Sequence, residues 1–362
     1  SVDTIKGSLA SGIRHARDTD ELLAVIEKTR VTVEETSGLK NERLNLSDVE
    51  SLENFQDLVS TLSVKKPGIQ GWKTGFSLLD HRLSGIKKPV GVNEDGIEVP
   101  MPGILMAFGG ASQHGKSTVL QNVTLNIAML NDDVSVLYWG LDDPRELIYE
   151  RMIAMISGAS WEAVTQRRAR TEKEEEKIQD AIEKLSRLIS EGRFVLKDQS
   201  NGRSLPMLQR WVEHSYREHN RPICVVIDSF HKISTTQSQA ALAEAAKAKA
   251  HSEELKSLYK THNLTVIVSL EVNKAATPGI EPGMINITET RKVEYDFDVI
   301  GMVFNHFFDT DGDSDQVIYE DGLSKPIIKV NIRKSKVGGA GPLYFALDPE
   351  TFRLKSYSIE DI

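Results

Sequence analysis

Nine consecutive residues, Gly110-Ala111-Ser112-Gln113-His114-Gly115-Lys116-Ser117-Thr118, fit the spacing G-x-x-x-x-G-K-[ST]. That spacing suits a phosphate cradle. A glycine at each end of the loop lets the backbone turn so that successive N–H groups point inward at phosphate oxygens, and a helix leaving the loop adds a favourable dipole. Lys116 supplies a point charge to the β and γ phosphates, and the Ser117 hydroxyl can ligate Mg2+. The flanks agree: the apolar run 104–108 enters as a strand and the stretch 118–130 leaves as a helix. A chance glycine-rich turn would not be framed in this way.

Such a loop needs a carboxylate at the end of a second core strand to hold the metal. The run 223–227 is unbroken and apolar and ends in Asp228, the expected metal-coordinating residue. Ser229 has no readable role, and His231 reads equally well as a satisfied loop histidine or as a functional one. Hydrolysis also needs a group that orients water. Asp142 and Asp143 follow the run 134–138 directly, and Pro144 suits a first helical position. Either acid could cap that helix; the roles are divided here with Asp142 as the base and Asp143 as the cap.

These side chains must be carried by a sheet. From residue 71 onward, short β-rich runs at 104–108, 134–138, 194–197, 223–227, 265–269, 299–304, 327–332 and 343–347 alternate with amphipathic stretches. That alternation predicts a mostly parallel central sheet covered by helices. The charged segment 167–187 keeps Ile178, Ile182 and Leu185 at helical spacing, as does Leu188 just beyond, so it reads as a solvated helix with one packed face. Segment 85–101, rich in glycine, proline and charge, reads as a surface loop. Residues 1–62 read as helical, and the third helix, over 47–62, opens with the capping pattern Ser47, Asp48, Val49, Glu50. Lys65, Lys66, Pro67 and Gly68 end it, which divides the chain into a small helical segment, 1–66, and an α/β domain, 67–362.

Composition sets the outer bounds. The 362 residues suffice for one large domain with a short appendage. Hydrophobic residues at 40% and charged residues at 27% exclude a disordered chain. No apolar run approaches the length of a membrane helix and no signal pattern opens the chain, so a cytoplasmic protein is expected. The single cysteine, Cys224, lies in an apolar run and reads as a buried small hydrophobe. A net charge of −9 argues against a nucleic-acid-coating protein but allows a locally basic channel.

The order of motifs over 71–357 resembles the RecA-like ATPase domain of DnaB-type replicative helicases, including phage primase-helicases. Thr74-Gly75-Phe76 with Asp80 is similar to that family's lead-in, and Gly140-Leu141-Asp142-Asp143 stands where it has a catalytic glutamate. Lys334-Ser335-Lys336-Val337-Gly338 looks like its closing hairpin, K-x-R-x-G. The resemblance implies a RecA-like P-loop core binding ATP and Mg2+, and a ring of six subunits on single-stranded DNA, with a primase or loader as further partner. By position it implies that Lys116 and Ser117 bind phosphate and metal, Asp228 the metal and Asp142 the attacking water. Glu271 falls where the γ-phosphate sensor stands, and Lys334 and Lys336 would reach a neighbour's nucleotide. Three departures stand out: Asp142 is one methylene shorter than glutamate, the sensor is an acid, and Lys336 replaces arginine. Lysine lacks the guanidinium fork, so the finger role could fall to Arg333. A RecA-type recombinase and a nucleotide-binding scaffold share the core. The lead-in and hairpin speak against the first, and the intact loop with Asp228 against the second. The resemblance also places DNA-tracking loops at 231–239 and 273–291, with Lys232, Lys274, Arg291 and Lys292 as available cations, and likens helix 47–62 to a linker that docks on the next subunit.

Overall fold

The computed structural model describes residue 25 and residues 68–92, 97–166, 170–235, 243–272, 281, 283, 291–305, 317–320 and 323–357. The chain divides into two compact units, Ser1–Lys65 and Lys66–Ile362. Apart from Val25, the first unit lies outside the described residues, and with it the helix read over 47–62.

In the second unit, helix α1 (Ser77–Leu83) and strands β1 (Val90–Val92) and β2 (Glu98–Pro100) precede the core strand β3 (Leu105–Gly110). There follow α2 (Lys116–Leu130), β4 (Ser135–Gly140), α3 (Arg145–Ser157), α4 (Trp161–Thr165), α5 (Glu172–Ser190), β5 (Phe194–Asp198), α6 (Leu205–His219) and β6 (Ile223–Asp228). The chain continues through α7 (Glu244–Thr261), β7 (Leu264–Glu271), α8 (Arg291–Asp296), β8 (Val299–Asn305), β9 (Val317–Glu320), β10 (Leu323–Ser335), β11 (Gly341–Leu347) and β12 (Leu354–Tyr357).

Ten strands form one sheet in the order β12-β11-β10-β8-β3-β7-β6-β4-β5, with β9 paired to β10. Every pairing from β8 to β5 is parallel, which requires a crossover between successive strands and explains the alternation of strand and helix. Strands β10, β11 and β12 extend the sheet antiparallel, so they can follow one another through short turns. Both faces of the parallel part are covered. Met106 and Phe108 pack with α2 and α3 on one side, while Leu105 and Ala107 pack with α6 and α7 on the other. Successive side chains of a strand point to opposite faces, so a strand buried on both sides reads as an unbroken apolar run.

Several local readings need correction. Helix α2 starts at Lys116 rather than 118, so Lys116 and Ser117 lie in its first turn. The stretch read as a surface loop, 85–101, contains the antiparallel pair β1 and β2. The charged helix begins at Glu172, where Thr171 and Glu174 form a reciprocal capping box. Its face buries Ile178, Leu185 and Leu188 as read, but leaves Ile182 at 36% exposure. Strands β9 (VIYE) and β12 (LKSY) have no counterpart in the sequence reading. Among the described residues no helix is long and apolar enough to cross a membrane.

Candidate nucleotide and metal site

The carboxyl ends of β3, β4, β6, β7 and β8 lie at one end of the parallel sheet, where open α/β sheets hold their ligands. The loop 110–118 emerges there from β3 into α2. Its glycines are required by geometry. A Cβ on Gly110 would stand 2.7 Å from the carbonyl oxygen of Val303 on β8, and Gly115 is the N-cap of α2 with φ +90°. Gln113 is also left-handed, with φ +68°, and it and Ser112 form the exposed tip. His114 is buried: its Nδ1 accepts from the backbone N–H of Asn305 at 3.2 Å, and its ring packs on Phe304. The loop is thereby pinned to β8. Lys116 Nζ donates to the Ala111 carbonyl at 2.7 Å, so the ammonium folds back over the loop. Thr118 is half-buried in the first turn of α2.

Asp228 ends β6 and is 5% exposed. Ser269 on β7 donates its hydroxyl to Oδ1 at 2.6 Å, and Tyr138 on β4 donates to Oδ2 at 2.9 Å. Burial raises the pKa of Asp228, opposed by hydrogen bonds from Ser269, Tyr138 and Ser117. The Ser117 contact joins the loop's hydroxyl to the strand-end carboxylate. Burial, with Asp228 beside it, pushes the Tyr138 phenol well above its ordinary value, so it stays a donor. Among the described residues no cluster of three or more His, Cys, Asp or Glu could hold a metal. One carboxylate beside one hydroxyl suits Mg2+, which keeps several waters and takes phosphate oxygens rather than an all-protein cage. Ser117 and Asp228 would hold it. Sequence reading missed Ser269 and Tyr138, although each carries a hydroxyl in a largely apolar strand.

The acids after β4 part company. Asp142 is half-exposed, 3.5 Å from Lys232 Nζ. Asp143 does not cap α3. It pairs with Arg151 at 2.6 Å, the N-cap is Pro144 with no side-chain cap, and the first helical N–H, of Arg145, is met by Asp198 at 3.4 Å. Glu271 ends β7 as the register partner of Gly110, at the start of the loop, and its Oε1 lies 3.3 Å from His231 Nε2.

The structure does not bring the closing cations to this site. Lys334 pairs in register with Ile300, and Lys336 Nζ bonds Asp298 Oδ1 at 3.0 Å. Asp298 Oδ2 in turn accepts from the backbone N–H of Leu105, the first residue of β3. Lys336 is thus level with the start of β3 and the loop with its end, about 16 Å of strand apart at ~3.3 Å per residue. Lys334 Nζ donates to the carbonyls of Glu294 and Tyr295. Arg333 bonds Glu281 at 3.0 Å, where Lys329 and Asn331, on the same face of β10, also converge. Of the loop cations, Lys232 is the one described in full. The side chains of Lys274, Arg291 and Lys292 lie outside the described residues.

Residues 71–356 match the family model for the DnaB-like helicase C terminal domain. A solved ATPase domain matches with a TM-score of 0.71 and 18% identity, over 86% of this chain and 100% of that one. A DnaB-like replicative helicase, solved with attention to its interactions with primase, matches with a TM-score of 0.71 and 17% identity, over 94% of this chain and 79% of that one. No curated protein matches the chain.

Proposed function

Because this chain belongs to the DnaB-like helicase C-terminal domain family and is therefore an ATP-hydrolysing helicase, we propose that it works as a ring of six subunits. The ring translocates on single-stranded DNA and hydrolyses ATP where one subunit's loop meets the next subunit's hairpin. The observation that carries this reading is the separation just described: Lys336 stands at the end of the sheet opposite its own loop. Cations so placed cannot serve their own nucleotide, but in a head-to-tail ring they face a neighbour's.

Within one subunit, the N–H groups of the loop and Lys116 bind the β and γ phosphates. Bound Mg2+, held by Ser117 and Asp228, would neutralise charge on the phosphates. Asp142, half-exposed beside the site, orients the attacking water. Lys334, Lys336 or Arg333 acts across the interface. The chain's partners in this reading are single-stranded DNA, further copies of itself and a primase or loader, in the cytoplasm, or the host's if the chain is a phage's. The test is strand displacement from a forked duplex, with scattering mass measured in the presence of an ATP analogue and DNA. Unwinding by a species of six subunits is expected, and full unwinding by a strict monomer would overturn the ring.

A further inference from the structure

The turn that follows β6 carries a line of polar groups to which the reading above gives no role. Ser229 Oγ lies 2.6 Å from His231 Nδ1, and His231 Nε2 lies 3.3 Å from Glu271 Oε1. A serine hydroxyl donating to Nδ1 leaves the ring proton on Nε2, so the imidazole presents a donor on its Glu271 side. Glu271 is beside Gly110, at the start of the phosphate loop. An ionised carboxylate there can only accept, and it repels an approaching polyphosphate. Beside Glu271, the imidazole is a group able to donate. Its side chain is 26% exposed, open enough to meet a ligand. Burial lowers its pKa, and the charges of Glu271, Lys232, Asp142 and Lys116 act on it as well.

We propose that His231 is a catalytic residue whose Nε2–H, oriented by Ser229 and aimed by Glu271, is donated to the terminal phosphate of a bound nucleoside triphosphate. The contact lets the site tell a triphosphate from a diphosphate, a task that Glu271 alone cannot perform. This inference rests on the reading of loop 110–118 as a nucleotide cradle. The competing account is a local tie that merely fastens the turn to β7.

The experiment compares the affinity of the full chain for a fluorescent, non-hydrolysable ATP analogue with that for fluorescent ADP, both with Mg2+. Losing a hydrogen bond to a charged group is expected to weaken triphosphate binding by about tenfold or more in His231→Ala, with ADP binding unchanged. His231→Gln retains a donor and should keep most of the preference. His231→Ala combined with Glu271→Gln should regain it, because the amide at 271 can then donate itself. An unchanged triphosphate-to-diphosphate ratio in His231→Ala overturns the proposal, as does a folded double variant no better than the single one. Should His231→Ala not fold, His231→Gln against His231→Met offers the same comparison, similar shapes with and without a donor. If the wild-type chain binds neither nucleotide, the cradle reading itself falls. If it binds both and only the ratio fails to respond, His231 alone is excluded.

Discussion

The Ser269 hydroxyl donates to Asp228 Oδ1 at 2.6 Å across two neighbouring strands, and it does so because β6 and β7 run parallel with Ile227 opposite Val268. One residue further on, the strand-end carboxylate meets the hydroxyl next door. Tyr138 supplies the same service from β4. Two flanking strands therefore hold a carboxylate that burial pushes toward protonation.

Ser269→Ala should raise the Mg2+ concentration needed for half-maximal ATP turnover, in the range of about 10–100-fold that loss of an outer-shell partner costs a metal site. The acid limb of the rate profile should also move to higher pH, since a donor that lowers the pKa of Asp228 is gone. Mg2+ titrations at several pH values check both. An unchanged Mg2+ requirement would separate Ser269 from the metal.

Asp228→Asn should abolish turnover yet stabilise the nucleotide-free protein. The folded pKa of Asp228 is raised above its unfolded value, so the folded state binds the proton more tightly. Its contribution is most favourable below the ordinary carboxylate range and declines as pH rises through the folded pKa. At neutral pH the variant removes a buried anion. The expected rise in Tm is about 2–4 °C, the shift that 1 kcal/mol makes in a domain of roughly this size. As pH falls through the raised folded pKa toward the ordinary carboxylate range the difference should shrink, which thermal scans across pH would show.

Lys116→Ala should abolish Mg2+-dependent hydrolysis, because the loop loses its phosphate cation. Subunits with this change are then mixed with subunits carrying both Arg333→Ala and Lys336→Ala, each inactive alone. A mixed interface pairs an intact loop with intact cations, so turnover should partly return. Trans arginine fingers contribute on the order of 10³–10⁵ in rate, and Lys336 should give less because it cannot grip two oxygens at once. Rings that stay dead on mixing would remove the trans assignment. Normal turnover in the double variant would leave these cations to their partners within the subunit, Glu281 for Arg333 and Asp298 for Lys336.

Gly338→Ala should displace the hairpin. A Cβ there would stand 2.3 Å from the Arg82 carbonyl oxygen at the end of α1, and backbone cannot give way as a side chain can. The expected loss of stability is about 1–3 kcal/mol, as for other overpacked sites, with turnover falling as well. Gly339→Ala is the control, since its Cβ would come nearest the flexible Arg82 Cγ at 3.3 Å and would stand 3.9 Å, an ordinary contact, from the Arg82 carbonyl oxygen. Denaturant midpoints of the two variants should differ clearly. Equal midpoints would mean that the hairpin does not depend on α1 for its place.

By itself the sequence determined whatever is set by a short stretch of chain. The loop 110–118 declares itself because Gly115 takes the left-handed N-cap at φ +90° and Gly110 the close approach to Val303, so a glycine stands at each end of the motif. The parallel strands were legible because burial on both faces forces unbroken apolar runs, and Asp228 stood out as the charge that ends one. What surrounds those residues depended on the tertiary structure. No spacing in the chain relates Ser269 or Tyr138 to Asp228, or His231 to Glu271, since each pair joins residues 40 or more positions apart. Asp143 shows the limit in the other direction: its local context reads as a cap, yet Arg151 claims it and Asp198, from β5, meets the helix instead. Local backbone preferences act over a few residues, whereas strand register, which decides which polar atoms meet, is set by how both faces of the sheet bury their side chains.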